Sequence, residues 1–221
     1  MSSWKAVYDS GWHHPGMAWA LCALAALVIV RRVPAGGLRT ALLVFTGTTA
    51  LDAWMTGALS PVPAAAAQAV SIAFVILGDL RLFALEEKYR CDSSWTKALL
   101  RAVPLSFVVP VVQAVARTAW PGAFANLRYL FLCYELLFVV LAAALLLLRY
   151  PSRSAKSPAL GWYATSLVGF FLVQYGLWVA ADVLLLAGVE AAHGLRLVPN
   201  ALYYGLFLAF AAWRAPAEAS T

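Results

Sequence analysis

The chain has 221 residues, 63% of them hydrophobic and 12% charged, with a formal net charge of +6. A soluble domain carries about 25% charged residues, so the composition excludes a water-soluble globular protein and points to an integral membrane protein. Loop lysines and arginines that orient such a protein account for the positive balance, and no nucleic-acid partner is implied.

Seven apolar stretches approach the roughly 20 residues a spanning helix requires. They are Pro15–Val30, Leu38–Leu59, Pro63–Leu85, Ala98–Ala119, Leu127–Leu148, Ala159–Ala187 and Leu195–Trp213. The expected fold is all-α: a polytopic bundle of seven transmembrane helices forming one domain over residues 1–221. The first stretch is short and borrows from the preceding WHHPG. It does not read as a cleaved signal peptide, because Arg31 and Arg32 follow the apolar run instead of preceding it. His13 and His14 stand at its mouth, on the same side as His193. They read as solvated interfacial residues. Even with Asp9 or Glu190 their spacing matches no zinc motif, so no metal site is expected.

Each later span except the first carries a polar stripe. Span 2 offers Thr48, Thr49, Asp52, Met55 and Thr56, and span 3 offers Gln68, Ser71, Gly78 and Asp79. Asp79 and Arg81 form the candidate inner-half ion pair. They are two residues apart and do not face each other on a helix, so each needs a partner elsewhere. In span 4, Pro110 removes a backbone donor and predicts a kink beside Gln113, with Arg117 at the outer end. Span 5 aligns Arg128, Phe131, Glu135 and Phe138. Span 6 contains QYGLWVAADVLLLAG, in which Gln174, Trp178 and Asp182 follow an i, i+4, i+8 spacing with Tyr175 alongside. Span 7 gives Arg196, Asn200, Tyr203, Tyr204 and Phe207, with Pro199 making its outer end irregular.

The odd-numbered loops hold Arg31, Arg32, Arg39, then Lys88, Arg90, Lys97, Arg101, then Arg149, Arg153, Lys156. The other side holds Lys5, Arg117, Arg128 and Arg196. Lys and Arg favour the cytoplasmic side, which places the amino terminus outside and the carboxyl terminus inside. A bacterial inner (cytoplasmic) membrane is the expected location. Trp12, Trp19, Trp120, Trp162 and Trp213 fall near span ends, where interfacial anchors belong.

Lipid satisfies none of the stripe residues, so they should converge inside the bundle. A carboxylate at a membrane-helix centre costs roughly 2.5–3.5 kcal/mol on insertion scales. Asp52 and Asp182 incur that cost with no basic residue within two turns on their own helices. In the inferred orientation Asp52, Gln68, Ser71, Gln113, Glu135, Asp182 and Asn200 share the outer half, under a roof of Arg117, Arg128 and Arg196. The candidate proton- or ligand-binding residues are Asp182, Asp52, Glu135, Gln174, Asn200, Gln113, Tyr203, Tyr204 and Trp178. Cys22, Cys91 and Cys133 suggest neither a disulfide framework nor a metal motif, and no cofactor motif is present.

Three functions fit. One is a transporter or channel for a small polar or amphipathic solute, with proton coupling through Asp182 or Asp52. Another is a membrane-embedded enzyme using paired carboxylates on a lipid. Gly78–Asp79, Asp182 in the penultimate span and Tyr203–Tyr204 resemble pieces of the lysoplasmalogenase pattern, which would imply hydrolysis of a lipid. The chain departs from that family in span count and in lacking a histidine in the span after GD. The third is a sensor or regulatory subunit that needs a cytoplasmic partner. No lysine lies in span 7, against a retinal protein. The expected partners are membrane lipid and a small-molecule or lipid ligand.

Overall fold

The computed structural model describes residues 3–149 and 156–220, and of Arg149 and Ser220 the backbone alone. Arg153, counted above among the basic residues of the fifth loop, lies outside them. Among the described residues the chain has helices and no strands. The elements are α1 (Ser3–Tyr8), α2 (Ala18–Arg32), α3 (Gly37–Thr56), α4 (Ala64–Arg90), α5 (Trp95–Ala119), α6 (Leu127–Arg149), α7 (Pro158–Leu186), α8 (Ala192–Ala201) and α9 (Phe207–Arg214).

Six helical segments are long and apolar enough to cross a membrane: Trp12–Arg32, Ala64–Arg90, Trp95–Ala119, Leu127–Leu148, Pro158–Leu186 and Ala192–Arg214. The remaining helix, α3, has 20 residues but is diluted by Arg39, Asp52 and five threonines. Its hydroxyls turn back on the helix. Thr46 donates to the Leu42 carbonyl, Thr49 to that of Phe45 and Thr56 to that of Asp52, at 2.8, 2.8 and 2.9 Å. This local bonding satisfies hydroxyls that apolar surroundings would otherwise leave unpaired.

The bundle buries charged and polar side chains and leaves apolar ones facing outward. Asp79, Arg81, Glu135, Gln174 and Asp182 are buried, while Leu100, Val115 and Val140 are exposed. That is the arrangement of an integral membrane protein, whose lipid-facing surface has nothing to hydrogen-bond.

Three local features set the site. The chain entering the first span bends at His14, whose backbone is extended (φ −140°, ψ 108°), and α2 follows. The last span widens into a π-turn at Leu202–Leu206, between α8 and α9. Gly205 sits there against α2, where an added Cβ would lie 2.6 Å from the Leu21 backbone. Wide turns of this kind recur at functional sites. Finally, α4 runs on to Arg90, beyond the expected end at Leu85. The EEKYR segment expected in a loop is helical and mostly buried: Glu86 pairs with Arg90 one turn on, and Tyr89 donates to the Ala219 carbonyl at 3.0 Å.

At the level of Phe83 an aromatic layer fills the interior. Phe138 stacks on Tyr175 with centroids 4.0 Å apart, and Phe171 meets Phe207 edge-on at 4.5 Å. Phe83 packs on Phe138 from α4. This layer separates the polar groups near the amino-terminal end of the bundle from the Glu86–Arg90 end.

Candidate functional site

The antiparallel pairing of α7 with the last span organises the polar interior. Going down the two helices, Asp182 meets Arg196, Trp178 meets Asn200, and Phe171 meets Phe207. The i, i+4, i+8 spacing of Gln174, Trp178 and Asp182 places them on the face that makes these contacts.

Asp182 is fully buried and doubly countered. Arg196 donates to Oδ1, and Arg128 from the first turn of α6 reaches the same oxygen at 3.1 Å. Arg196 also lies 3.7 Å from Glu135. Two guanidinium groups thus face two carboxyl groups across three helices. Arg128 and Arg196 are the two roof residues present. Arg117 is exposed and takes no part. Asp182 Oδ2, Glu135 Oε2, Arg196 Nε and both polar atoms of Gln174 are buried without hydrogen-bond partners.

Below this set, Trp178 donates to Asn200 Oδ1 at 2.7 Å, and the Asn200 amide contacts His13 Nε2 at 2.9 Å. The other ring nitrogen of His13 lies 2.7 Å from the Tyr8 carbonyl. His13 is therefore a buried, doubly bonded residue, and the solvated interfacial reading is corrected. The bend at His14 turns both imidazoles inward, a backbone feature that adjacent histidines before a proline do not announce. His14 reaches Thr56 Oγ1 at 3.1 Å.

These residues wall a vestibule of about 390 Å³ at the amino-terminal end of the bundle, lined by Tyr8, Asp9, His13, His14, Thr56, Asn200 and Tyr204 among others. Thr56 also lies 3.1 Å from Asp52 Oδ1. Asp52 in turn borders a cavity of about 10 Å³ with Thr48, Thr49, Gly78 and Tyr203, about the space one water needs. An ion pair for Asp52 is absent among the described residues.

Asp79 and Arg81 likewise make no direct pair among the described residues. Asp79 accepts from the hydroxyls of Tyr134 and Tyr175 at 3.0 and 3.1 Å, and those hydroxyls lie 2.6 Å apart. Arg81 donates to Thr49 Oγ1 at 2.9 Å and to the Tyr203 carbonyl at 2.8 Å, and stacks over the Tyr203 ring at 4.1 Å. The π-turn presents that carbonyl. Tyr203 fits because position 78 is glycine: a Cβ there would lie 1.8 Å from the Tyr203 hydroxyl oxygen.

The structure leaves some expected members outside. Gln113 is half-buried and donates to the Leu130 carbonyl at 2.8 Å, joining α5 to α6. Gln68 and Ser71 are exposed on the first turns of α4. A groove of about 580 Å³ along Leu132, Leu136 and Val140 is almost wholly apolar. It offers no polar group to orient a substrate, as a lipid-facing surface would not.

The single chamber expected from the sequence is thus resolved into distinct sets. Asp182 and Glu135 are faced by arginines, Asp79 is held by tyrosines, and Asp52 is bonded to threonine beside the vestibule. Comparison with known protein families, with curated proteins and with solved structures finds no match to this chain.

Proposed function

We propose that the protein transports a small polar or amphipathic solute and couples it to protons through Asp52. The proposed arrangement has seven spans, including α3, with the amino terminus outside and the carboxyl terminus in the cytoplasm of a bacterial cell. The observation that carries this reading is the vestibule of about 390 Å³ whose wall residue Thr56 bonds a carboxylate that has no ion pair among the described residues. An intramembrane ionisable group without a paired charge is a functional site by default. Asp182 is the weaker candidate for proton exchange, since Arg128 and Arg196 both hold its charge in place.

The aromatic layer at Phe138, Phe171 and Phe207 closes the route past Asp79. On this reading the protein is in a state open at one end. The π-turn at Leu202–Leu206 is where the last span would change its winding as access switches. The hydrolase reading has less support. Asp79 and Asp182 are committed to different partners on different helices, so neither stands ready as the acid or base of the other.

The test is flux in sealed vesicles containing the purified protein. Under an imposed pH gradient, candidate polar solutes should accumulate and Asp52→Asn should abolish the accumulation. Chemical alteration of a lipid in detergent, where no gradient exists, would replace transport by enzymatic action.

A further inference from the structure

His14 connects the vestibule to Asp52 through one hydroxyl, and the hydrogen-bond directions fix what that connection can carry. Thr56 has a single hydroxyl proton. It points toward Asp52, whose backbone carbonyl and Oδ1 lie 2.9 and 3.1 Å from Thr56 Oγ1. Thr56 Oγ1 must then accept from His14, so the Nε2 atom 3.1 Å away carries hydrogen. A neutral imidazole with its proton on Nε2 leaves Nδ1 as a bare acceptor. His14 Nδ1 is buried and has no hydrogen-bond partner, while its residue lines the vestibule.

We propose that His14 and Thr56 form a proton relay between the vestibule and Asp52, with His14 Nδ1 as its entry atom. Because Nδ1 is buried, a local opening of the vestibule wall at His14 lets water reach it, and a proton from that water bonds to Nδ1. The Nε2–H bond breaks as that proton passes to Thr56 Oγ1, and the original hydroxyl proton of Thr56 passes to Asp52 Oδ1. Asp52 gains one O–H bond, Thr56 is unchanged, and His14 ends neutral with hydrogen on Nδ1. The reverse sequence returns the proton. Between His14 and Asp52 only hydrogens move, so opening is needed only where water meets Nδ1.

The surroundings interpose nothing in this chain. The His13 ring lies 6.3 Å from that of His14, and the Tyr204 ring lies 4.9 Å from it. Around Asp52 stand Arg81 from α4, Cys22 from α2, and Tyr203 and Tyr204 from the π-turn. Arg81 makes its hydrogen bonds to Thr49 and Tyr203, not to Asp52. Cys22 is committed to the Tyr204 carbonyl at 3.2 Å. The Thr56 hydroxyl is therefore the side chain through which Asp52 meets the vestibule.

The relay rests on the transport reading for its purpose but is measured without transport. The full-length protein in lipid is given a rapid drop in pH, and infrared absorption follows the protonated-carboxyl signal that Asp52→Asn removes. Thr56→Val keeps shape and removes the hydroxyl. His14→Phe keeps a ring and removes both nitrogens. A positioned proton-transfer group is worth on the order of 100-fold in rate, and each variant should slow the Asp52 signal by about that factor. Thr56→Ser should restore the wild-type rate.

Unchanged rates in Thr56→Val and His14→Phe overturn the relay, as does an Asp52 signal that never appears. Two independent variants break different links, so misfolding of one leaves the other decisive. Slowed proton uptake without solute flux keeps the relay and removes the transport reading. Solute flux with unchanged proton kinetics removes the relay alone.

Discussion

Asp182 and Asp52 are each the only acid in an apolar helix, and each lacks a basic residue within two turns on that helix. Their surroundings are opposite. Asp182 receives Arg128 from α6 and Arg196 from α8, whereas Asp52 receives a threonine hydroxyl and borders a space the size of one water. Isolation along the chain therefore says little about isolation in space. The charge of Asp182 joins three helices, whereas the one side-chain hydrogen bond of the Asp52 carboxylate among the described residues is to the Thr56 hydroxyl.

Removing the Asp182 charge should produce the largest effect. Asp182→Asn leaves two guanidinium groups facing Glu135 alone, and uncompensated buried charge costs about 3–5 kcal/mol. Thermal unfolding in detergent should register the loss, and adding Arg196→Met should recover much of it. Additive losses in that cycle would mean the two residues are not coupled.

Gly78→Ala comes next. Its Cβ would lie 1.8 Å from the Tyr203 hydroxyl, and overpacking of this kind costs about 1–3 kcal/mol. Tyr203→Phe in the same chain should relieve part of the loss, because the closest atom is gone. Wild-type stability in the single variant would place Tyr203 elsewhere.

Trp178→Phe tests the helix pairing between these two extremes. It removes the 2.7 Å bond to Asn200, and interhelical bonds in membranes average about 0.6 kcal/mol with a maximum near 1.7. A small loss of stability is expected, with His13 losing its fixed partner. A loss as large as that of Asp182→Asn would erase the distinction between the regions.

Asp52→Asn should alter stability least, by less than the roughly 1 kcal/mol of one hydrogen bond, since the amide oxygen still accepts from Thr56. Its effect falls on proton-linked flux, which should vanish. If unfolding shifts as far as in Asp182→Asn, Asp52 is a structural residue like its counterpart.

The polar stripes were legible because helical spacing puts Gln174, Trp178 and Asp182 on one face whatever the neighbours are. Partner identity was not. Glu135 and Arg128 lie two turns apart on one helix, yet Glu135 lies near Arg196 while Arg128 serves Asp182. Side-chain reach across a helix interface decides that, and it depends on interaxial distance and register. The inward placement of His13 and His14 was not legible for a related reason. The extended backbone at His14 turns the entering segment over the bundle, where the rings meet Asn200 and Thr56, residues far away in sequence.

What the sequence determined by itself is the class of the protein. Long apolar runs and scarce charge demand helices in lipid, because only internal backbone bonding survives there. It also marked Asp52, Asp79 and Asp182 as groups that must find partners inside. Tertiary structure decided which partners those are, since the field at each carboxylate is set by groups within a few ångströms, contributed by helices whose order along the chain does not reveal their neighbours. Two arginines face Asp182, two tyrosines hold Asp79, and one threonine leaves Asp52 in reach of a histidine at the vestibule wall.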